Sequence, residues 1–421
     1  MTDRTPGNVG ALILGGAHGA LAMARSLGRH GISVGFVTEN QLITQHSRYV
    51  RFSTTWAGAN GDSAAAKLLE IGRRYGLAGW VLLPGGDTET LMIARHRDEL
   101  ASFFRVTTPD WNTAQWALDK HLTYQRADAL GIAHPQTYHP ADRQEVADLD
   151  CRFPLVLKPA TRLEDNAFTL GKAWRVDNKA ALLSRYDQAV AVTGGATNIV
   201  LQELIPGGGA SQFSYAALWD RGQPVVSLVA RRLRQYPIEF GYTSTFVETI
   251  ENAEVEAPAV RFLQSLDYSG LVEIEFKYDN RTQQYMMLDA NIRCWTWIAL
   301  GHRAGLDFPY LLWQLATGQP VIPGKARAGV AWMHFSRDLV AALQEMKAGR
   351  MLPIDYLRTL RASTEFAALA FDDPLPGILD LPLLVARVLT RRVPLLMRGL
   401  KQRIARRRGS SLSDAATRLH P

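Results

Sequence analysis

The stretch LVEIEFKYDNRTQQYMMLDANIRCW, residues 271–295, constrains the fold more than any other part of this 421-residue chain. Two apolar runs joined by a polar turn read as a pair of β-strands. Glu273, Glu275, Asp289, Asn291 and Arg293 recur at every second residue within them. In a strand that spacing sets all five on one face, with Ile274, Phe276, Ala290 and Ile292 on the other. One patch of sheet therefore gathers three carboxylates, an amide and a guanidinium. Carboxylates about 4 Å apart repel by about 4 kcal/mol at an effective dielectric of about 20. A hard cation relieves that cost, and these oxygen ligands suit Mg²⁺ held together with nucleotide phosphates. Arg293 on the same face suits a phosphate or carboxylate oxygen.

Upstream, short apolar runs alternate with helical patterns. VGALILGG, ISVGFVTE and GWVLLPGG read as strands, while GALAMARSLGRHG, AAAKLLEIGRRYG and DTETLMIARHRDELA read as helices. That β-α-β order predicts a parallel sheet with helices on both faces. NTAQWALDKHLTYQRADALG is helical. The strands FPLVLKPA, GKAWRV, NIVLQELI, SQFSYAALWD and QPVVSLVARRLRQ follow, and the pattern is mainly helical after about residue 325.

Lys158 ends an apolar run and precedes Pro159, so its ammonium sits at a strand end and calls for an anionic partner or for water reached by its own stem. Lys120 alone would pass for an exposed helical residue. Gln202 and Glu203 stand between apolar residues just before a Pro-Gly turn, where backbone groups can read an adenine edge. Arg231, Arg232 and Arg234 can present two guanidiniums, at 232 and 234, to one strand face, which suits an anionic substrate.

In order, LDKH, FPLVLKPA, GKAWRV, VLQELIPGG, GLVEIEFKYD and MLDANIRCW resemble the ATP-grasp superfamily of carboxylate–amine ligases, of the kind that includes D-aspartate ligase and the carbamoyl phosphate synthase large subunit. The resemblance covers about residues 8 to 320. It implies an α/β and α+β architecture: a Rossmann-like domain over 1–112, a two-lobed ATP-grasp module over 113–322 with its lid at about 123–203, and a mainly helical extension over 323–421. It implies that Lys120 and Lys158 meet the phosphates of ATP, that Lys172 is a further basic residue of the nucleotide site on the lid strand, and that Gln202, Glu203, Leu204 and Ile205 hold the adenine. Glu275, Asp289 and Asn291 would ligate Mg²⁺ or Mn²⁺, and Arg293 would steady phosphoryl oxygens. Arg232 and Arg234 are assigned to the reacting groups, and Glu273 to a supporting role. The implied reaction makes an acylphosphate from a carboxylate and ATP, and an amine then displaces phosphate.

The sequence departs from the family pattern in three places. Asp289 stands where glutamate is usual, Asn-Ile-Arg replaces Asn-Pro-Arg, and Gln212 replaces an acid that binds the ribose. The lid segment ATRLEDNAFTLG also lacks a glycine-rich run. A non-catalytic ATP-binding protein is therefore one alternative. Another is an NAD(P)-dependent oxidoreductase, since Gly15, Gly16 and Gly19 open a helix after a strand and Glu39 lies where a ribose-binding acid could sit.

Two distant cysteines, Cys151 and Cys294, make neither a disulfide framework nor a metal cluster. With no secretory pattern at the start, a cytoplasmic location is expected. The formal charge of +7 is a property of the tail: residues 381–408 hold nine Arg and Lys and no acid, and the remainder is nearly neutral. A nucleic-acid partner is therefore not expected. The partners expected are a small carboxylate, an amine and a second copy of the chain. Residues 381–408 are too short of apolar runs to span a bilayer, but suit the inner face of an anionic membrane.

Overall fold

The computed structural model describes residues 9–40, 42–56, 58–61, 63–160, 168, 173–196, 198–238 and 243–387. Three sheets organise these residues. The first is parallel, with strand order β3-β2-β1-β4-β5, and uses β1 (Ala11–Leu14), β2 (Val34–Thr38), β3 (Val50–Thr55), β4 (Val81–Pro84) and β5 (Arg105–Val106). Every residue of β1, β2 and β4 is buried, as expected of strands covered on both faces. The order changes direction between β1 and β4, so the Gly15-Gly16 and Gly85-Gly86 turns meet at one crevice.

The second sheet is antiparallel, order β6-β9-β7-β8, from β6 (Thr137–Tyr138), β7 (Leu155–Pro159), β8 (Trp174–Val176) and β9 (Ile199–Glu203). The third has order β14-β13-β10-β11-β12-β16-β17, with β15 beside β11. Its strands are β10 (Gln212–Asp220), β11 (Gln223–Tyr236), β12 (Thr243–Ile250), β13 (Gly270–Asp279), β14 (Gln284–Asn291), β15 (Gly324–Lys325), β16 (Ala331–Met333) and β17 (Ser363–Phe366).

One expectation changes and another is filled out. The helix read over 112–131 is broken into Trp111–Leu118 and Lys120–Ala129, because Asp119 is extended and caps the second piece. Among the described residues the segment after residue 325 is mainly helical, as expected, and it also carries two short strands. β16 pairs with β12 and β17 with β16, so it extends the large sheet. Its last described helix, Pro374–Arg387, lies on the first helix of the chain, His18–Arg29. Arg25 pairs with buried Asp373 at 2.9 Å, Arg29 with Asp372 at 2.8 Å, and His18 with Asp380 at 2.7 Å. Among the described residues no helix is long and apolar enough to cross a membrane.

Candidate active site

Neighbouring β13 and β14 place Glu273 opposite Asn291 and Glu275 opposite Asp289. The alternation read from the sequence holds here: Ile274, Phe276, Ala290 and Ile292 enter a core shared with Phe262 and Leu263 of helix Ala253–Gln264. On the other face Leu271 is packed against the core of the N-terminal unit, and Glu273, Glu275 and Lys277 follow where that cover ends. The polar patch thus continues a face whose apolar part packs on the N-terminal unit, and Glu273, Lys277 and Asn291 within it are themselves buried.

Glu273 is buried and accepts from Ser214 Oγ at 3.0 Å. Asn291 Nδ2 donates to Glu273 Oε2 and to Glu275 Oε1, each at 3.4 Å. Burial, and then the neighbouring Glu275 charge, push the Glu273 carboxyl above the ordinary range. Glu275 faces Arg232 at 3.5 Å. Two acids abreast with an amide beside them are the oxygen donor types that a divalent cation takes.

The helix break at Asp119 makes Lys120 the first residue of its helix, with Asp119 accepting from the His121 N–H at 2.8 Å. Lys120 Nζ then reaches Asp289 Oδ1 at 2.8 Å. Lys158 Nζ, on β7, donates to Gln202 Oε1 at 2.7 Å, and Gln202 Nε2 donates to Thr137 Oγ1 at 3.0 Å. Tyr124 interacts with Gln202 and donates to the Leu288 carbonyl at 2.7 Å, just before Asp289. Arg281, in the turn between β13 and β14, meets Glu203 at the end of β9 at 2.9 Å. Lys120 and Lys158 thus lie where the second and third sheets meet.

At the end of β9, the Glu203 N–H donates to the Gln136 carbonyl at 2.9 Å and the Leu204 N–H to the Pro154 carbonyl at 3.1 Å. Ile205 is buried beside them. A purine that read the Leu204 N–H would have to displace Pro154. Gln212 opens β10 and accepts from Arg232. Lys172 lies outside the described residues.

The paired reading of Arg232 and Arg234 does not hold. A bulge at Leu233 breaks the register of β11 with β12. Arg232 stays at the site, whereas Arg234 forms a two-pronged pair with fully buried Asp338, at 3.0 and 2.8 Å. The Phe246 ring lies 4.5 Å from the Arg234 guanidinium. Arg234 is thus committed to packing the helix Phe335–Lys347. Arg231 is turned to the Ala210 carbonyl at 2.8 Å. Arg293 donates to Asn291 Oδ1 at 3.2 Å and pairs with Asp87 of the N-terminal unit.

Two site residues escaped the sequence reading. Lys277 continues the alternation of Glu273 and Glu275, a signal that was available. Tyr124 carried none, because its partners lie on other elements. The glycines also take a different meaning from the oxidoreductase alternative. A Cβ on Gly16 would lie 2.8 Å from the Gly85 carbonyl, and one on Gly19 would lie 2.7 Å from the Trp295 carbonyl. The Glu89 carboxylate, pushed up to about 7 mainly by burial, sits against the Gly15 turn where a pyrophosphate would have to enter.

No protein-family model matches the chain. It is 22% identical over 227 residues to D-aspartate ligase of Enterococcus faecium (strain Aus0004), covering 51% of this chain. The match spans about half, 53%, of that relative's length. Among solved structures, biotin carboxylase of Campylobacter jejuni in a β,γ-ATP complex superposes with a TM-score of 0.60 at 13% identity, over 77% of this chain and 75% of that one. An L-amino acid ligase of Bacillus licheniformis gives 0.57 at 14%, over 78% and 79%. N5-carboxyaminoimidazole ribonucleotide synthetase of Thermus thermophilus gives 0.55 at 16%, over 76% and 82%.

Proposed function

Because the chain has the ATP-grasp fold, we propose that it is an ATP-dependent ligase that joins a carboxylate to an amine. The cross-strand pair Glu275 and Asp289, with Lys120 reaching the latter, is the observation that carries this reading. Glu275, Asp289 and Asn291 would hold Mg²⁺ or Mn²⁺, which when bound neutralises charge on the phosphates. Lys120 exchanges Asp289 for a phosphate oxygen, Lys158 exchanges Gln202, and the Gln202–Ile205 segment borders the base. Arg232 and Arg293 flank the acids from either side and orient the reacting oxygens. The substrate carboxylate attacks the γ-phosphate to give an acylphosphate and ADP, and the amine then expels phosphate. D-aspartate, which the Enterococcus relative is named for, is the first acid to test.

A phosphate-release screen with ATP and Mg²⁺ over paired amino acids and uronic acids tests the reading, with Lys158→Ala as control. Release that needs both an acid and an amine, and is lost in Lys158→Ala, is expected. ATP binding with no release for any pair supports the non-catalytic alternative.

The location proposed is the cytoplasm, with a surface contact to an anionic bilayer. Large apolar side chains stand exposed on successive helices near the end of the described chain, among them Leu343, Leu357, Ile378 and Leu381. The basic segment to residue 408 follows directly. Co-sedimentation with phosphatidylserine vesicles, lost on deletion of residues 388–421, is the expected result. A homodimer is proposed as well, and sedimentation velocity checks it.

A further inference from the structure

His18, His334 and Asp380 meet in the interior, on elements that carry none of the nucleotide-site residues. All three are buried, and one ligand atom from each lies within 4.8 Å of the other two. They come from remote parts of the chain. His18 opens the helix His18–Arg29, His334 joins β16 to the helix Phe335–Lys347, and Asp380 belongs to the helix Pro374–Arg387.

Hydrogen bonding alone does not satisfy this cluster. Asp380 Oδ1 lies 2.7 Å from His18 Nε2, and Asp380 Oδ2 accepts from Ser336 Oγ at 2.6 Å. His334 Nδ1 is left 3.2 Å from Ser336 Oγ and 4.0 Å from Asp380 Oδ2. His334 Nε2 has no hydrogen-bond partner among the described residues, although His334 is only 1% exposed. The two imidazoles stand edge to face with centroids 4.1 Å apart. A tie that merely fastened the helices would not need a second ring whose buried nitrogen goes unpaired.

The protonation states suit a metal. Burial holds both imidazoles below their ordinary range, so they stay neutral, the form that ligates. Burial opposes the Asp380 charge, but the bond to His18 keeps that carboxylate ionised. Of the cations that act on His18, Arg25 is already neutralised by Asp373, which leaves Arg337.

We propose that His18, His334 and Asp380 form a structural Zn²⁺ site that fastens the helix Pro374–Arg387 to the helix His18–Arg29 and to the end of β16. Zn²⁺ takes imidazole nitrogen and carboxylate oxygen at about 2.0–2.2 Å. Nitrogen ligands favour it over Mg²⁺. Binding displaces the proton between His18 and Asp380. Ser336 steadies the carboxylate through its other oxygen, and water completes the tetrahedron. In EDTA the three groups titrate as ordinary side chains.

Metal content measured by plasma mass spectrometry, on the full chain purified without a histidine tag, tests the site. About one Zn²⁺ per chain should survive gel filtration and leave with EDTA. ZnCl₂ returned to the stripped chain should raise Tm, whereas an equal concentration of MgCl₂ should not. Asp380→Asn and His334→Gln should each weaken zinc binding by more than the roughly 10–100-fold that loss of an outer partner costs. Glu275→Gln should hold zinc as the unaltered chain does. Zinc-edge X-ray absorption on the unaltered protein should show two imidazole ligands, a readout that stands even where a variant fails to fold. No retained zinc with no zinc-dependent rise in Tm overturns the proposal. So does a spectrum with fewer than two imidazoles, or equal zinc affinity in all three variants. The ligase reading is tested separately, through Mg²⁺, ATP and Glu275.

Discussion

Lys120 Nζ and Asp289 Oδ1 lie 2.8 Å apart across 169 residues of sequence. The ammonium neutralises an acid that the proposed metal also needs, so ligand-free and nucleotide-bound states compete for one carboxylate. Lys120→Ala should weaken Mg·ATP binding by about tenfold or more in calorimetry. Its effect on unfolding free energy in urea should stay below about 1 kcal/mol, because both partners are partly exposed. An unchanged affinity would remove Lys120 from the nucleotide site.

Glu275→Gln and Asp289→Asn each delete one charge from the acidic pair without changing its size much. Each should lower ATP-dependent phosphate release by about 100-fold and shift the Mg²⁺ titration midpoint upward. A variant that loses release with an unshifted metal midpoint would place that acid outside the metal shell.

Arg234 and Asp338 are buried against each other, so removing one strands the other. Arg234→Met should destabilise the fold by about 3–5 kcal/mol in urea unfolding. The double variant Arg234→Met with Asp338→Leu should recover most of that loss. A stable single variant with impaired catalysis would return Arg234 to the substrate.

The His18, His334 and Asp380 cluster sets a pH dependence. Burial holds both imidazoles below their usual range, while hydrogen bonding to His18 helps keep Asp380 ionised to lower pH than usual. His334 Nε2 has no hydrogen-bond partner among the described residues, so a proton there would bury a charge and a donor without an acceptor. In each case the unfolded chain takes the proton first, so stability is retained above about pH 6.5 and lost below it. The loss is up to about 1.4 kcal/mol per histidine per pH unit, with the carboxylate adding to it below about pH 4. Tm recorded between about pH 7.5 and 5.5 should fall, and His334→Phe should flatten that fall. A parallel pH profile in the variant would exclude the cluster.

The acidic floor was legible because strand alternation is a local rule: the two-residue period placed Glu273, Glu275, Asp289 and Asn291 together before any partner was known. The same rule covered Lys277, which was passed over because a lone lysine near a turn looks solvated. Arg234 was misread because alternation fails at the Leu233 bulge and its partner, Asp338, lies far along the chain. Lys120 gave little local signal. Its aim depends on a helix break at Asp119, where the apolar pattern runs on without interruption. The parallel N-terminal sheet was plain from its βαβ order, whereas β16 and β17 were too short to compete with the helical pattern around them.

The seam between the helices Pro374–Arg387 and His18–Arg29 has a mechanical consequence. The helix Pro374–Arg387 is riveted to the one that springs from the Gly15-Gly16 turn, and that second helix backs onto the Cys294–Trp295 segment just past Arg293. A pull on the helix Pro374–Arg387 is therefore carried to the segment that follows Arg293, and cutting the chain before residue 374 would unfasten the helix His18–Arg29 as well.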